Sequence, residues 1–251
     1  MRLTWLDSNT WLWELAQQRV LVDPWLVGPL NFGGLSWLFE ARRRSPRPLP
    51  ENLDVILLSQ GLPDHAHPPT LQAIVAQGGA KIPVVASYGG AQVAAGLGFE
   101  DVTVLAPGQR WQRGNLVIRA TLGAPTGPTV RENGYVVTSA EGSLYYEPHG
   151  YPDPQAGPVD LAIVPAIDLK LPGLGPVIRG GKTALATAQQ LRPQVLIPTA
   201  AGGDLEISGW LPRFLQVEGS PEELQAGLTA AGLPTQVLTA LPGEPLSWQP
   251  V

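Results

Sequence analysis

Apolar residues fall along this chain in short runs bordered by Gly, Pro, Asn or Asp, the pattern of strands and not of long amphipathic helices. The runs predict strands over 2–6, 10–16, 18–22, 53–59, 82–86, 101–105, 115–121, 133–139, 142–147, 159–164, 194–198 and 235–239. Helical spacing is found over 68–77, 89–97, 181–191 and 220–231. The last of these opens with Ser220-Pro221-Glu222-Glu223: a capping hydroxyl, a proline at the first helical position and acid in the first turn. A strand meander followed by alternating strands and helices occurs twice. That order predicts an α/β fold, a four-layer αββα sandwich with two packed sheets and helices outside. No stretch reads as a linker, so a single domain over 1–251 is expected, with Arg42 to Pro50 as a surface loop.

Composition narrows this further. With 29 Gly and 27 Pro in 251 residues the loops are many, while a 44% hydrophobic fraction supports a folded core. The net charge is −5 and no basic run extends beyond Arg42 to Arg47, so nucleic acid is not an expected partner. The absence of cysteine removes disulfides, thiolate metal sites and thiol nucleophiles. No export signal opens the chain and no apolar run is long enough to span a bilayer, so the expected location is cytoplasmic.

The segment from Asp54 to Leu71 carries the chemistry. A buried strand is followed by Ser59, Gln60, Asp64, His65 and His67 and then by a helix opening at Pro68-Pro69. Polar groups therefore gather at the C-terminal end of a strand, where α/β sheets bind ligands. Asp64 and His65 form a pair suited to metal ligation or acid–base catalysis. The competing reading is that they only cap the following helix. His67 reads as a surface or helix-start residue.

Two further segments stand out. Residues 25–47 combine Trp25, Phe32, Trp37 and Phe39 with Arg42, Arg43, Arg44 and Arg47. They are expected to form an ordered flap or a homo-oligomer contact, ahead of a peripheral membrane contact. Trp5, Trp11 and Trp13 have the spacing of core positions on strands. Pro172 to Lys182 is glycine-rich but matches no phosphate-loop or dinucleotide pattern. It reads as a loop and helix start, with Arg179 and Lys182 available to an anionic group. No Gly-x-Ser-x-Gly elbow occurs, so a serine hydrolase is not indicated.

Taken in order, several fragments resemble the metallo-β-lactamase superfamily, in particular its L-ascorbate-6-phosphate lactonase-like branch. They are Leu3-Thr4-Trp5-Leu6, Leu21-Val22-Asp23-Pro24-Trp25, Asp54 to His65, Pro107-Gly108, Asn133-Gly134-Tyr135, Leu144-Tyr145-Tyr146, Asp160 to Pro165 and Val195-Leu196-Ile197-Pro198. The resemblance implies an αββα sandwich with a metal site along one edge. It also implies a degenerate site. The family's Thr-His-x-His-x-Asp-His motif falls on Ser59 to His65, with Gln60 and Leu62 at the first two histidines. The third-strand histidine falls near Ala124 or Thr126, the bridging aspartate near Pro148 or His149, and the final histidine at Ala200. A glycine-histidine pair after the first strand is replaced by Asp7-Ser8.

The resulting expectation is a hydrolase-like protein for a small anionic ester, lactone or phosphoester. Its rival is a non-catalytic binding or assembly module. At most one zinc or manganese ion is expected, weakly held or absent, and no binuclear centre, because leucine cannot donate and an amide donates poorly. Asp64, His65 and His149 are the candidate catalytic and metal residues; Gln60, Ser59 and Glu147 are the candidate substrate contacts. Glu147, Asp7 and Asp204 are further substitutes for the missing ligands, and the competing reading of His149 is a loop histidine packed among tyrosines.

Overall fold

Strands apolar on every residue belong in the parallel part of a sheet, and strands joined by tight turns in the antiparallel part. Both kinds are present in the computed structural model, which describes residues 1–125, 131–171, 173, 175–199 and 202–250. Thr126, Ala200, Pro172 and Leu174 lie outside the described residues, as does the side chain of Lys182. The chain divides into two compact units, the first comprising Met1–Ala106, Gly202–Phe214 and Leu241–Ser247.

In the first unit, β1 (Arg2–Trp5), β2 (Trp11–Leu15) and β3 (Gln18–Val22) form an antiparallel meander. The β2–β3 turn is the pair Ala16-Gln17, both at positive φ (52° and 60°), the twist that two-residue hairpins require. The strand β4 (Glu40–Arg43) lies outside this sheet, whereas β5 (Val55–Leu58), β6 (Val84–Ala86) and β7 (Val102–Val104) extend it from β3 in parallel. The helices α1 (Pro68–Ala76) and α2 (Tyr88–Gly96) follow β5 and β6. Their Leu71, Ile74, Ala91 and Ala94 pack with Leu21, Ile56, Leu58 and Val84 in one apolar cluster. Trp11 and Trp13 are fully buried and Trp5 nearly so, as strand spacing predicts.

The second unit repeats the plan. Antiparallel β8 (Arg110–Arg113), β9 (Leu116–Pro125), β10 (Arg131–Ser139) and β11 (Gly142–Tyr146) are continued in parallel by β12 (Leu161–Val164). A hairpin of β13 (Asp168–Leu171) and β14 (Gly175–Arg179) stands apart and leads into α3 (Gly181–Leu191), after which β15 (Val195–Pro198) rejoins β12. The strand β16 (Leu205–Ser208) returns to the first unit and pairs there with β4, while β17 (Gln216–Glu218) of the second unit pairs with β13. The helix α4 (Pro221–Ala230), then β18 (Gln236–Val237) beside β15 and β19 (Pro245–Ser247) beside β1, complete the chain. Ala184, Ala188, Leu191, Leu224 and Leu228 of α3 and α4 pack with Val136, Tyr145, Ala162 and Leu196. Ser220 accepts from the Glu223 N–H, the cap predicted for α4. Two mixed seven-stranded sheets, each with two helices, are the elements of the α/β class. No described helix is long and apolar enough to cross a membrane.

Two expectations need correction. The glycine-rich stretch read as a loop contains β14, because its register with β13 satisfies the backbone that its glycines leave without side-chain packing. The basic piece read as surface is in part internal. Arg43 and Arg47 each place Nε 3.1 Å from the same oxygen of Asp7, with side chains 5% and 17% exposed against a fully buried carboxylate. Burial pulls the Arg43 guanidinium down to about 10 against the pull of Asp7, and its carbon lies 4.3 Å above the Trp25 ring. The other Asp7 oxygen accepts the Asp204 N–H at 2.7 Å. Residues 25–47 are accordingly ordered, with Trp25, Leu30 and Ala41 in a small cluster of their own, while Trp37 remains 67% exposed.

An isolated buried carboxylate facing two guanidiniums has no solvent to fall back on. Asp7→Ala is expected to lower the unfolding free energy by about 3–5 kcal/mol, measured by urea denaturation. Arg42→Ala, at an exposed pair with Glu40, is expected to leave the midpoint unchanged. Equal effects of the two substitutions would refute the internal role of Asp7.

Candidate functional site

The C-terminal ends of β3 and β5 are neighbours in the first unit, so the residues that follow each strand meet. After β3 comes Asp23, fully buried and in the left-handed region at φ 43°. That is a costly backbone for a residue with a β-carbon, held by its surroundings. After β5 comes the turn 59–66, in which the amides of His65 and Ala66 bond back to the Leu62 carbonyl. Gly61 is required there: a β-carbon would come within 2.7 Å of the Gly89 backbone.

Asp23 organises the cluster. One carboxylate oxygen accepts the Ser59 N–H at 2.7 Å, and the other accepts the Ser59 hydroxyl at 2.5 Å and His65 Nδ1 at 2.7 Å. The opposite ring nitrogen, Nε2, lies 3.1 Å from Asp64 Oδ2, and the Asn9 amide nitrogen is 3.0 Å from Nε2. Burial is the largest single influence on this imidazole and favours its neutral form. Asp64 and then Asp23 outweigh it together, raising His65 to about 10. Neither Asp64 nor His65 caps α1, which disposes of the capping alternative. The N-cap is His67, with no side-chain cap. His67 is buried and not on the surface, with Nδ1 3.1 Å from the Thr70 hydroxyl. Burial pulls it down to about 4, with Arg43 adding to the effect and the Pro29 carbonyl opposing it.

The predicted residues separate into distinct placements. Asp64 and His65 come together, whereas Ser59 and Gln60 are each only 1% exposed, and the Ser59 hydroxyl is already given to Asp23. The Leu62 side chain points toward solvent, 46% exposed. The Asp7 carboxylate is engaged by the Asp204 backbone N–H and by two arginines. In the second unit, Glu147 follows β11 and is buried. Its oxygens accept the backbone N–H groups of His149, Gly150 and Tyr151 at 3.3, 2.5 and 2.6 Å. The His149 carbonyl accepts from the Arg179 N–H at 2.9 Å. Ala124 is a buried β9 residue. Sequence reasoning missed Asn9, and it quoted Asp23 only as a fragment of the resemblance. A polar residue directly after an apolar strand was the available signal for Asp23.

The donors of the first unit suit a divalent cation. An imidazole nitrogen and a carboxylate oxygen converge at 3.1 Å, and Asp23 holds the far side of the ring as carboxylates do behind metal-ligating histidines. Gln60 offers only a neutral amide and Leu62 no donor.

Comparison with known proteins agrees with this geometry. The sequence profile of the beta-lactamase superfamily domain matches residues 2–200. A UPF0173 metal-dependent hydrolase of Methanopyrus kandleri is 26% identical, over 97% of this chain and 98% of the relative. Two solved structures share the fold. A metallo hydrolase of Ignicoccus hospitalis has a TM-score of 0.66 at 17% identity, covering 99% of this chain and 98% of the other. The metallo-beta-lactamase fold protein YhfI of Bacillus subtilis has a TM-score of 0.65 at 16% identity, covering 98% of each.

Because Glu147 is saturated by backbone donors, its charge is expected to matter for stability. Glu147→Gln should cost about 1.5–3 kcal/mol, the scale of a hydrogen bond to a charged group. A variant of unchanged stability in chemical denaturation would return Glu147 to the candidate substrate contacts.

Proposed function

The chain belongs to the beta-lactamase superfamily, and on that premise we propose a hydrolase-like protein that holds at most one divalent cation and acts on a small anionic ester, lactone or phosphoester. The observation that carries the proposal is the Asp23–His65–Asp64 arrangement, an imidazole fixed from behind by one carboxylate and facing a second. The Methanopyrus relative bears the name of a metal-dependent hydrolase, which supports the same reading. Gln60 and Leu62, in place of two imidazoles, argue for a degenerate centre of zinc or manganese rather than a binuclear one. His149 enters the proposal as third donor from its place in the chain, where the resemblance puts the metal-bridging acid. The L-ascorbate-6-phosphate lactonase-like branch, a single working domain over 1–251 and a cytoplasmic location belong to the same proposal.

A bound divalent cation supplies an activated water and stabilises developing negative charge. The chain's own groups do the rest. Asp23 fixes the Nδ1 side of His65, so that Nε2 is the nitrogen presented beside Asp64. The Asn9 amide, at 3.0 Å from Nε2 and 3.5 Å from Asp64 Oδ2, holds the two donors in register. Without a cation, His65 and Asp64 retain only positioned acid–base chemistry, which typically contributes a factor of about 100 to 10,000.

The test is metal analysis of the purified protein followed by zinc titration. We expect no more than one ion per chain, loss of binding in Asp64→Ala, and a drop of about 10–100-fold in affinity for Asp23→Asn. Two tightly bound ions would overturn the proposal. Turnover of esters, lactones and phosphoesters should be abolished by Asp64→Ala. Catalysis that survives it refutes the assigned site, and no turnover on any substrate favours a binding module.

A further inference from the structure

A cavity of about 520 Å³ in the second unit is lined by Leu122, Arg131, Gly150, Tyr151, Arg179 and Thr183, among others. None of the described residues lining it is acidic. We propose that this cleft binds a phosphate-type oxyanion between Arg131 and Arg179. This reading does not rest on the hydrolase reading above.

Arg179 ends β14, and its guanidinium carbon lies 4.8 Å over the Tyr151 ring. Stacking fixes the plane of the fork while leaving its N–H edge open for an oxyanion. Arg131 opens β10, and among the described residues its guanidinium makes one long hydrogen bond, 3.4 Å, to the Gly123 carbonyl. Neither guanidinium is ion-paired with a described residue. Two acids lie near the cleft in sequence: Asp153, buried between its Pro152 and Pro154, gives its oxygens to the Leu122 and Gln155 N–H groups, and Glu147 gives its own to the backbone amides of 149–151, so neither is paired with the arginines.

The cleft is built into the fold. Gly150 sits at φ 80°, and a β-carbon there would lie 1.7 Å from the Arg179 carbonyl oxygen. Only glycine lets the Glu147–Tyr151 turn approach the end of β14 closely enough for the Arg179 N–H to reach the His149 carbonyl. The same turn therefore carries His149 and one wall of the arginine cleft.

Titration calorimetry with inorganic phosphate, in chelator and at fixed chloride, tests the site apart from any metal. The intact protein and Asp64→Ala are expected to bind phosphate alike. Arg131→Gln and Arg179→Gln should each weaken binding at least about tenfold, the scale of a charge-assisted pair, and Arg179→Lys should restore part of the loss. No phosphate binding by the intact protein, binding unchanged in both glutamine variants, or loss in Asp64→Ala alone would each overturn the proposal. Phosphate binding that persists in a protein without turnover would sink the hydrolase reading and leave this one standing.

Discussion

The buried carboxylate of Asp23 is the constraint on which the first unit's candidate site depends. It stands at the end of β3, in a left-handed conformation that a side chain with a β-carbon adopts only under compulsion. Its bonds to the Ser59 amide, the Ser59 hydroxyl and His65 Nδ1 are the compulsion. A carboxylate buried without such partners would cost several kcal/mol. Satisfied in this way, it ties the ends of β3 and β5 together and aims one imidazole nitrogen at Asp64. The 59–66 turn keeps this shape because Ser59 and His65 near its two ends both bond to Asp23, while the Leu62 side chain between them is exposed.

A second buried carboxylate in the same unit is satisfied differently, and the difference separates support from chemistry. Asp7 faces two guanidiniums and a backbone amide, whose positive charges and donated hydrogen bonds disfavour a cation at that carboxylate. Gly203, whose β-carbon would lie 2.5 Å from an Asp7 oxygen, lets that amide in. The position where the resemblance places a glycine-histidine pair thus holds an internal ion cluster that locks residues 43–47 and 204 to the end of β1. Asp7 is thereby removed as a substitute ligand, and two arginines that composition assigns to the surface become part of the interior.

Legibility followed the range of the interactions. Strands and helices set by local apolar runs were placed within a few residues, and the Ser220 cap was readable because its partner is Glu223, three residues on. The pair Asp64 and His65 was readable as a motif. What escaped was set by partners distant in sequence: Asp23 acts on a histidine 42 residues away, and Arg43 and Arg47 fold in toward Asp7 across 36 and 40 residues. Strands β13 and β14 escaped because glycine and proline mask their periodicity, so only their mutual register defines them. Residues such as Ser59, whose type fits a substrate contact, turn out to support a neighbour, and residue type alone does not distinguish the two roles.

The charges of the first unit also bear on the kind of ligand it suits. At the site itself, apart from the Asp7 cluster with Arg43 and Arg47, Asp23 and Asp64 carry two negative charges and the protonated His65 one positive charge. The site therefore carries one net negative charge as it stands, with the His65 pKa raised to about 10 by the two carboxylates beside it. A divalent cation bound there would bring two charges and displace one proton, which would make the site neutral. An anion nearby is then no longer repelled, whereas the metal-free site repels one. Ion and anionic ligand are in this way expected to strengthen each other's binding, a coupling that is reciprocal by thermodynamic necessity. It follows from the count of buried charges alone, whatever the identity of the substrate.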